Sequence, residues 1–149
     1  MKLFEEKEKG DYTMIIGCGR LGASLAGELS DEERDVLVID RNKDSFRKLS
    51  PSFGGITLTG DATDIDVLRE AQMEKATAVV VVTDNDNTNI MIAQMAKELF
   101  KNERVIARLY DPERDYVYRE FGIDTICPAA LSAKEINKLL PGNEKEGIV

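Results

Sequence analysis

Tyr12-Thr13-Met14-Ile15-Ile16-Gly17-Cys18-Gly19-Arg20-Leu21-Gly22 reads as a short apolar strand that runs into three glycines at G-x-G-x-x-G spacing. Ala23 to Leu29 continue with helix-forming residues. Each glycine has its own physical task. Gly17 permits a tight turn off the strand. Gly19 lets a pyrophosphate approach the backbone. Gly22 lets the new helix pack closely on the strand. The helix start then presents unpaired N–H groups and a positive dipole end to a phosphate. Three glycines alone are a weak signal, but here a strand precedes them, a helix follows, and an acidic residue stands downstream. That residue is Asp40, which ends the apolar run Val36-Leu37-Val38-Ile39 and lies 18 residues beyond Gly22, close to the usual offset of about 20.

Outward from this stretch, strand and helix patterns alternate to the end of the chain. Strands are predicted at 13–16, 36–39, 56–59, 78–82, 105–109 and 124–127. Helices are predicted at 21–29, from Asn42 or Asp44 through Leu49, at 65–72 behind the cap Asp64, at 87–100, from Pro112 to Glu120, and at 132–140 before Pro141-Gly142. Ala78-Val79-Val80-Val81-Val82 is the least ambiguous strand, because an unbroken run of this kind suits a central parallel strand covered on both faces. In the helix at 87–100, Ile90, Ala93, Met95, Ala96 and Leu99 form the expected apolar stripe. The pattern predicts a single α/β domain of the Rossmann type over 12–140. Its six-stranded parallel sheet is doubly wound in the order 3-2-1-4-5-6, with a charged leader over 1–11 and a polar tail over 141–149.

The 149 residues carry a net charge of −8. That argues against nucleic acid, whose phosphates need a basic surface, and gives no support for an anionic membrane surface. No apolar run approaches the roughly 20 residues of a membrane helix, and Lys2 to Asp11 have no signal-peptide core; a cytoplasmic protein is expected. The two cysteines, Cys18 and Cys127, show neither a metal spacing nor a C-x-x-C pair. Histidine is absent, which removes the commonest general acid–base and metal ligand.

The predicted topology brings four loops to one crevice: the glycine turn, Asp40-Arg41, Gly60-Asp61-Ala62-Thr63 and Thr83-Asp84. Asp40 can accept hydrogen bonds from both ribose hydroxyls and would repel a 2′-phosphate, which favours NAD over NADP. At a strand's carboxyl end it is expected to support no core. Arg41 could pair with a 2′-phosphate, lie against adenine, or be solvated. Arg20 can reach phosphate oxygens or lie on the helix surface. Asp61 serves either the adenine pocket or its own turn. Asp84 faces a ribose or the distal half of a dinucleotide, or is a loop aspartate. Arg108 points at phosphates, at a partner subunit, or sits at its strand end with the stem buried.

Gly17-Cys18-Gly19-Arg20-Leu21-Gly22, Val38-Ile39-Asp40-Arg41, Thr59-Gly60-Asp61-Ala62-Thr63 and Val81-Val82-Thr83-Asp84-Asn85-Asp86, followed by Ala107-Arg108 and a closing helix, resemble the TrkA N-terminal, or RCK, domain. The resemblance covers about residues 12 to 140, and its Gly-Asp-Ala-Thr motif is more specific than the glycine fingerprint. It implies a non-catalytic regulatory module of Trk/Ktr-type potassium uptake that binds NAD(H), ATP, ADP or AMP. By it, Gly17, Gly19, Arg20 and Gly22 fall at the phosphate site, Asp40 at the ribose, and Asp61 with Ala62 at the adenine; Cys18, Leu21, Arg41, Gly60, Thr83 and Asp84 complete the expected cofactor-binding set. It also implies a homodimer or higher ring docked on a membrane potassium channel or transporter, at the cytoplasmic side of the inner membrane. Many such regulators carry a second, RCK-C domain. The sequence holds no second domain of that kind, so the expectation is that a separate chain supplies it or that this is a stand-alone or partial unit. Two rival readings are a small NAD-dependent oxidoreductase, which the missing histidine and the lack of Y-x-x-x-K disfavour, and a nucleotide-dependent interaction module unrelated to ion transport.

Overall fold

The computed structural model describes residues 12–142; the expected leader and the end of the expected tail lie outside the described residues. Six strands form, β1 (Tyr12–Ile16), β2 (Asp35–Asp40), β3 (Ile56–Thr59), β4 (Ala76–Val81), β5 (Arg104–Arg108) and β6 (Asp124–Ile126). All pair in parallel, in the order β3-β2-β1-β4-β5-β6. The helices are α1 (Arg20–Asp31), α2 (Ile65–Glu70), α3 (Asp86–Glu98), α4 (Asp115–Glu120) and α5 (Pro128–Leu139).

The side-chain period of two in each strand sorts the core into two layers. All of β1 is buried. Met14 and Ile16 join Leu37, Ile39, Val79 and Val81 beneath Leu68 of α2 and Ile92, Ala93 and Ala96 of α3. Ile15 faces the other way, with Val36, Val38 and Val80, against Ala23, Ala26 and Leu29 of α1. A strand so placed has no polar face to offer, which is why β1, β2 and β4 read as continuous apolar runs.

Several elements depart from their sequence expectations for local reasons. The segment after β2 is a 3-10 helix, Lys43–Lys48, capped by Asn42 through Asp44 N–H, and buries no residue fully. With no buried stripe to reward extension, it stays short. α5 begins at Pro128, four residues ahead of Ser132, with proline in its first turn. β4 begins at Ala76, where buried Asn102 donates to the carbonyls of Met73 and Ala76 at 2.9 and 3.3 Å. On α3 the buried face is Asn89, Ile92, Ala93 and Ala96, whereas Leu99 is exposed. α5 buries no residue, so its apolar residues Leu131, Ile136 and Leu139 do not pack on the sheet.

The passage from β1 into α1 is the tightest point. Gly17 has φ of +105°, and a β-carbon there would lie 2.8 Å from the Val82 carbonyl oxygen. A β-carbon on Gly22 would lie 1.9 Å from the Gly17 carbonyl oxygen, a backbone atom that has nowhere to go. Gly22→Ala should therefore cost about 2–3 kcal/mol, the upper range of overpacking. Urea unfolding checks it: the midpoint should fall with an unchanged slope.

Candidate functional site

The carboxyl ends of the strands open onto a crevice of about 640 Å³, within the range of ligand sites. Gly17, Cys18 and Gly19 from the glycine turn, Asp40 and Arg41 after β2, Gly60, Asp61 and Ala62 after β3, and Thr83 and Asp84 after β4 all line it. These residues come from four separate segments of the sequence. Three residues expected with them lie outside the lining. Arg20 opens α1 and is exposed; Leu21 packs into the α1 core layer; Gly22 supports the turn from behind.

The start of α1 differs from those of α2 and α3, the helices that follow β3 and β4. Asp64 caps α2 and Asn85 caps α3 through side-chain oxygens. α1 follows Gly19, has no side-chain cap, and carries no acid in its first turn. Its first N–H groups lack the partners that side chains normally supply. Gly19 itself is exposed, and a β-carbon there would meet nothing within 4 Å. The glycine therefore answers no steric need of the protein. It leaves open space in front of a donor-rich, electropositive helix end, a combination suited to an anion.

Asp40 does more than its position suggested. Its Oδ2 accepts from Cys18 N–H and its Oδ1 from Asn42 N–H, each at 2.8 Å. The carboxylate supports no core, as expected, but it ties the glycine turn to the end of β2, a role its position alone did not suggest. Each oxygen retains a further lone pair for a ligand hydroxyl. Cys18 is fully buried in the α1 core layer; burial, then the adjacent Asp40 charge, pushes its thiol pKa up and keeps it protonated. Asp61 Oδ1 accepts from Thr63 Oγ1–H at 2.7 Å and from Thr63 N–H at 2.9 Å. These bonds hold its carboxyl below the usual range, so it is ionised at neutral pH. Asp61 shapes its own turn as well as lining the crevice.

The β4 side rests on a residue that the sequence reading passed over. Asn89 is fully buried on α3. Its Oδ1 accepts from Thr83 N–H at 3.0 Å and from Thr83 Oγ1–H, while its Nδ2 donates to the carbonyls of Thr83 and Arg108 at 3.2 and 3.1 Å. One amide therefore fixes the loop after β4 to the end of β5. An asparagine on the apolar stripe of α3, in step with Ile92, Ala93 and Ala96, was the available signal: buried polar groups are there because they are bonded. Arg108 also lines the crevice, with its Nη2 donating to the Thr83 carbonyl and its guanidinium 4.9 Å from the Tyr110 ring centre. Asn42, Ser45, Lys48, Thr88 and Ile92 are also in the walls and were not expected there from the sequence.

A parallel sheet in this order, with a glycine turn, an unblocked helix start and an acid at the end of β2, defines a domain of the Rossmann type. The family model of the TrkA-N domain matches residues 13–128, and the chain belongs to that family. The Trk system potassium uptake protein TrkA of Streptomyces coelicolor is 45% identical over 131 residues, 87% of this chain and 59% of that protein; the chain thus spans less than two thirds of that relative. The GsuK RCK domain superposes with a TM-score of 0.76 at 27% identity, over 97% of this chain and 31% of that one. The GsuK channel solved with NAD has the same fold, with a TM-score of 0.70 at 19% identity, over 83% of this chain and 22% of that one. Among the described residues, no helix is long and apolar enough to cross a membrane.

Two substitutions test how the site is built. Asp40→Ala strands the Cys18 N–H and should lower stability by about 1–3 kcal/mol. Asn89→Leu keeps the branched shape but leaves the Thr83 N–H and hydroxyl without their acceptor, and should cost at least about 2 kcal/mol. Both are read by chemical denaturation, and unchanged midpoints would show that neither contact matters.

Proposed function

We propose that the chain is a non-catalytic, cytosolic nucleotide-binding regulatory subunit of a potassium uptake channel or transporter, sensing NAD(H) or an adenine nucleotide through a domain over residues 12–140. The observation that carries the reading is the start of α1: no side chain caps it, and it faces open space at Gly19 beside Asp40. In this reading the phosphates lie on the N–H groups of the first turn, with Arg20 drawn in from the rim. Asp40 takes the ribose hydroxyls with the lone pairs that Cys18 and Asn42 leave free, beside Arg41. Adenine lies over Gly60, Asp61 and Ala62, with Thr83 and Asp84 flanking the distal side.

A sensor rather than an enzyme is supported by what lines the crevice. The sequence has no histidine to serve as a general base, and the one thiol in the crevice lining, that of Cys18, is buried and protonated. Binding energy not used on a transition state can shift a conformational equilibrium instead, provided the states differ in affinity. Self-association into a dimer or ring is supported by the end of α5, where Ile136, Leu139 and the following Leu140 stand exposed and would cover one another between copies. Potassium uptake is supported by the names of the relatives, and the channel or transporter is the membrane partner that those names suggest.

Calorimetry with NAD, NADH, ATP, ADP and AMP tests the reading. At least one should bind, and Gly19→Val should abolish binding while its melting temperature stays within a few degrees of the wild type, because a β-carbon there has open space around it. Normal binding by folded Gly19→Val would remove phosphates from the start of α1. Turnover of a carbonyl substrate with NADH would restore the oxidoreductase.

A further inference from the structure

The β5 side of the crevice holds a cation that the glycine turn does not account for. Arg108 ends β5, which lies two strands from β1 across β4, about 10 Å at ordinary strand spacing. Its guanidinium does not stay over β5. Nη2 donates to the carbonyl of Thr83, just past the end of β4, so the charge is carried back towards the glycine turn. The arginine is held at both ends. Its own carbonyl accepts from Asn89, the residue that also fixes Thr83, and its guanidinium lies near the face of Tyr110.

This placement leaves the charge incompletely answered. Nε is buried without a hydrogen-bond partner, and among the described residues no carboxylate pairs with the guanidinium. A half-buried cation with one donor spent on a carbonyl and another unmatched is costly unless something in the crevice completes it. A phosphoryl group is the natural complement, since the planar fork matches two of its oxygens at once.

We infer that Arg108 is a second phosphate anchor, which selects nucleotides carrying a phosphate beyond the first over a nucleoside monophosphate. The inference rests on the nucleotide reading above, with the first phosphate at the start of α1. The next phosphoryl group then extends across the end of β4, where the Arg108 guanidinium stands. Two ligand types share that chemistry: the β-phosphate of a nucleoside diphosphate and the second phosphate of a dinucleotide.

Calorimetry with AMP, ADP and NAD on the wild type, Arg108→Gln and Arg104→Gln tests it. Arg104 begins β5 at the opposite end of the sheet, pairs with Asp124, and removes the same charge without touching the crevice. The ratio of the AMP to the ADP dissociation constant should fall about tenfold or more in Arg108→Gln, the scale of a charge-assisted hydrogen bond, and should hold in Arg104→Gln. A fall for ADP alone, for NAD alone or for both upholds the anchor and identifies its ligand. Unchanged ratios, or the same fall in Arg104→Gln, overturn it. Should Arg108→Gln unfold at the assay temperature, Arg108→Lys carries the comparison, with a fall of about threefold expected from loss of the fork alone; unchanged ratios there overturn the anchor equally. Failure of the wild type to bind any of the three, or NADH or ATP, would overturn the nucleotide reading itself, whereas ordinary AMP binding with unchanged ratios overturns only Arg108.

Discussion

The carbonyl oxygen of Gly17 occupies the place where a β-carbon on Gly22 would have to be, 1.9 Å away, so the first turn of α1 presses on the end of β1 as closely as two backbones can. The rest of the site depends on that approach. The chain reverses at Gly17 with a positive φ, and the loop after β4 comes within 2.8–2.9 Å of the missing side chain. The start of α1 is thereby aimed along the crevice rather than away from it. Only with the turn held this close can Asp40, at the end of β2, accept from Cys18 N–H. Strand, helix, acid and open space converge because two side chains are absent.

Close packing of this kind separates two sorts of glycine that look alike in a sequence. Gly17 and Gly22 are required by the protein, since neighbouring backbone atoms exclude a side chain. Gly19 is not, since a β-carbon there would enter empty space. A residue that the fold does not need as glycine, set before an uncapped helix, is understood most simply through what approaches it from outside.

The order of the sheet was legible in the sequence because buried parallel strands leave a continuous apolar trace, as in Ala78 to Val82, and because each crossover was long enough for a helix. The glycine turn and Asp40 were legible because their spacing is local. What was not legible depends on contacts between distant elements. Asn89 looked like one more residue of α3 until the ends of β4 and β5 were brought to it. Arg108 had three open roles until Thr83 fixed its guanidinium. Asp86 at the start of α3 likewise accepts from the N–H groups of Tyr110 and Asp111, and Tyr118 Oη–H donates to its carbonyl. One polar network therefore runs from the crevice wall to α4, joining segments that share no sequence motif.

The most direct measurement is a titration of ADP or NAD into uniformly ¹⁵N-labelled protein, followed through backbone amide shifts. Nucleotide binding at the start of α1 predicts that the amides of Gly19, Arg20 and Leu21 move first and furthest, with those of Cys18 and Asn42 following as Asp40 takes up the ribose. Saturable binding that leaves these amides still, with the shifts gathered elsewhere on the domain, would contradict it.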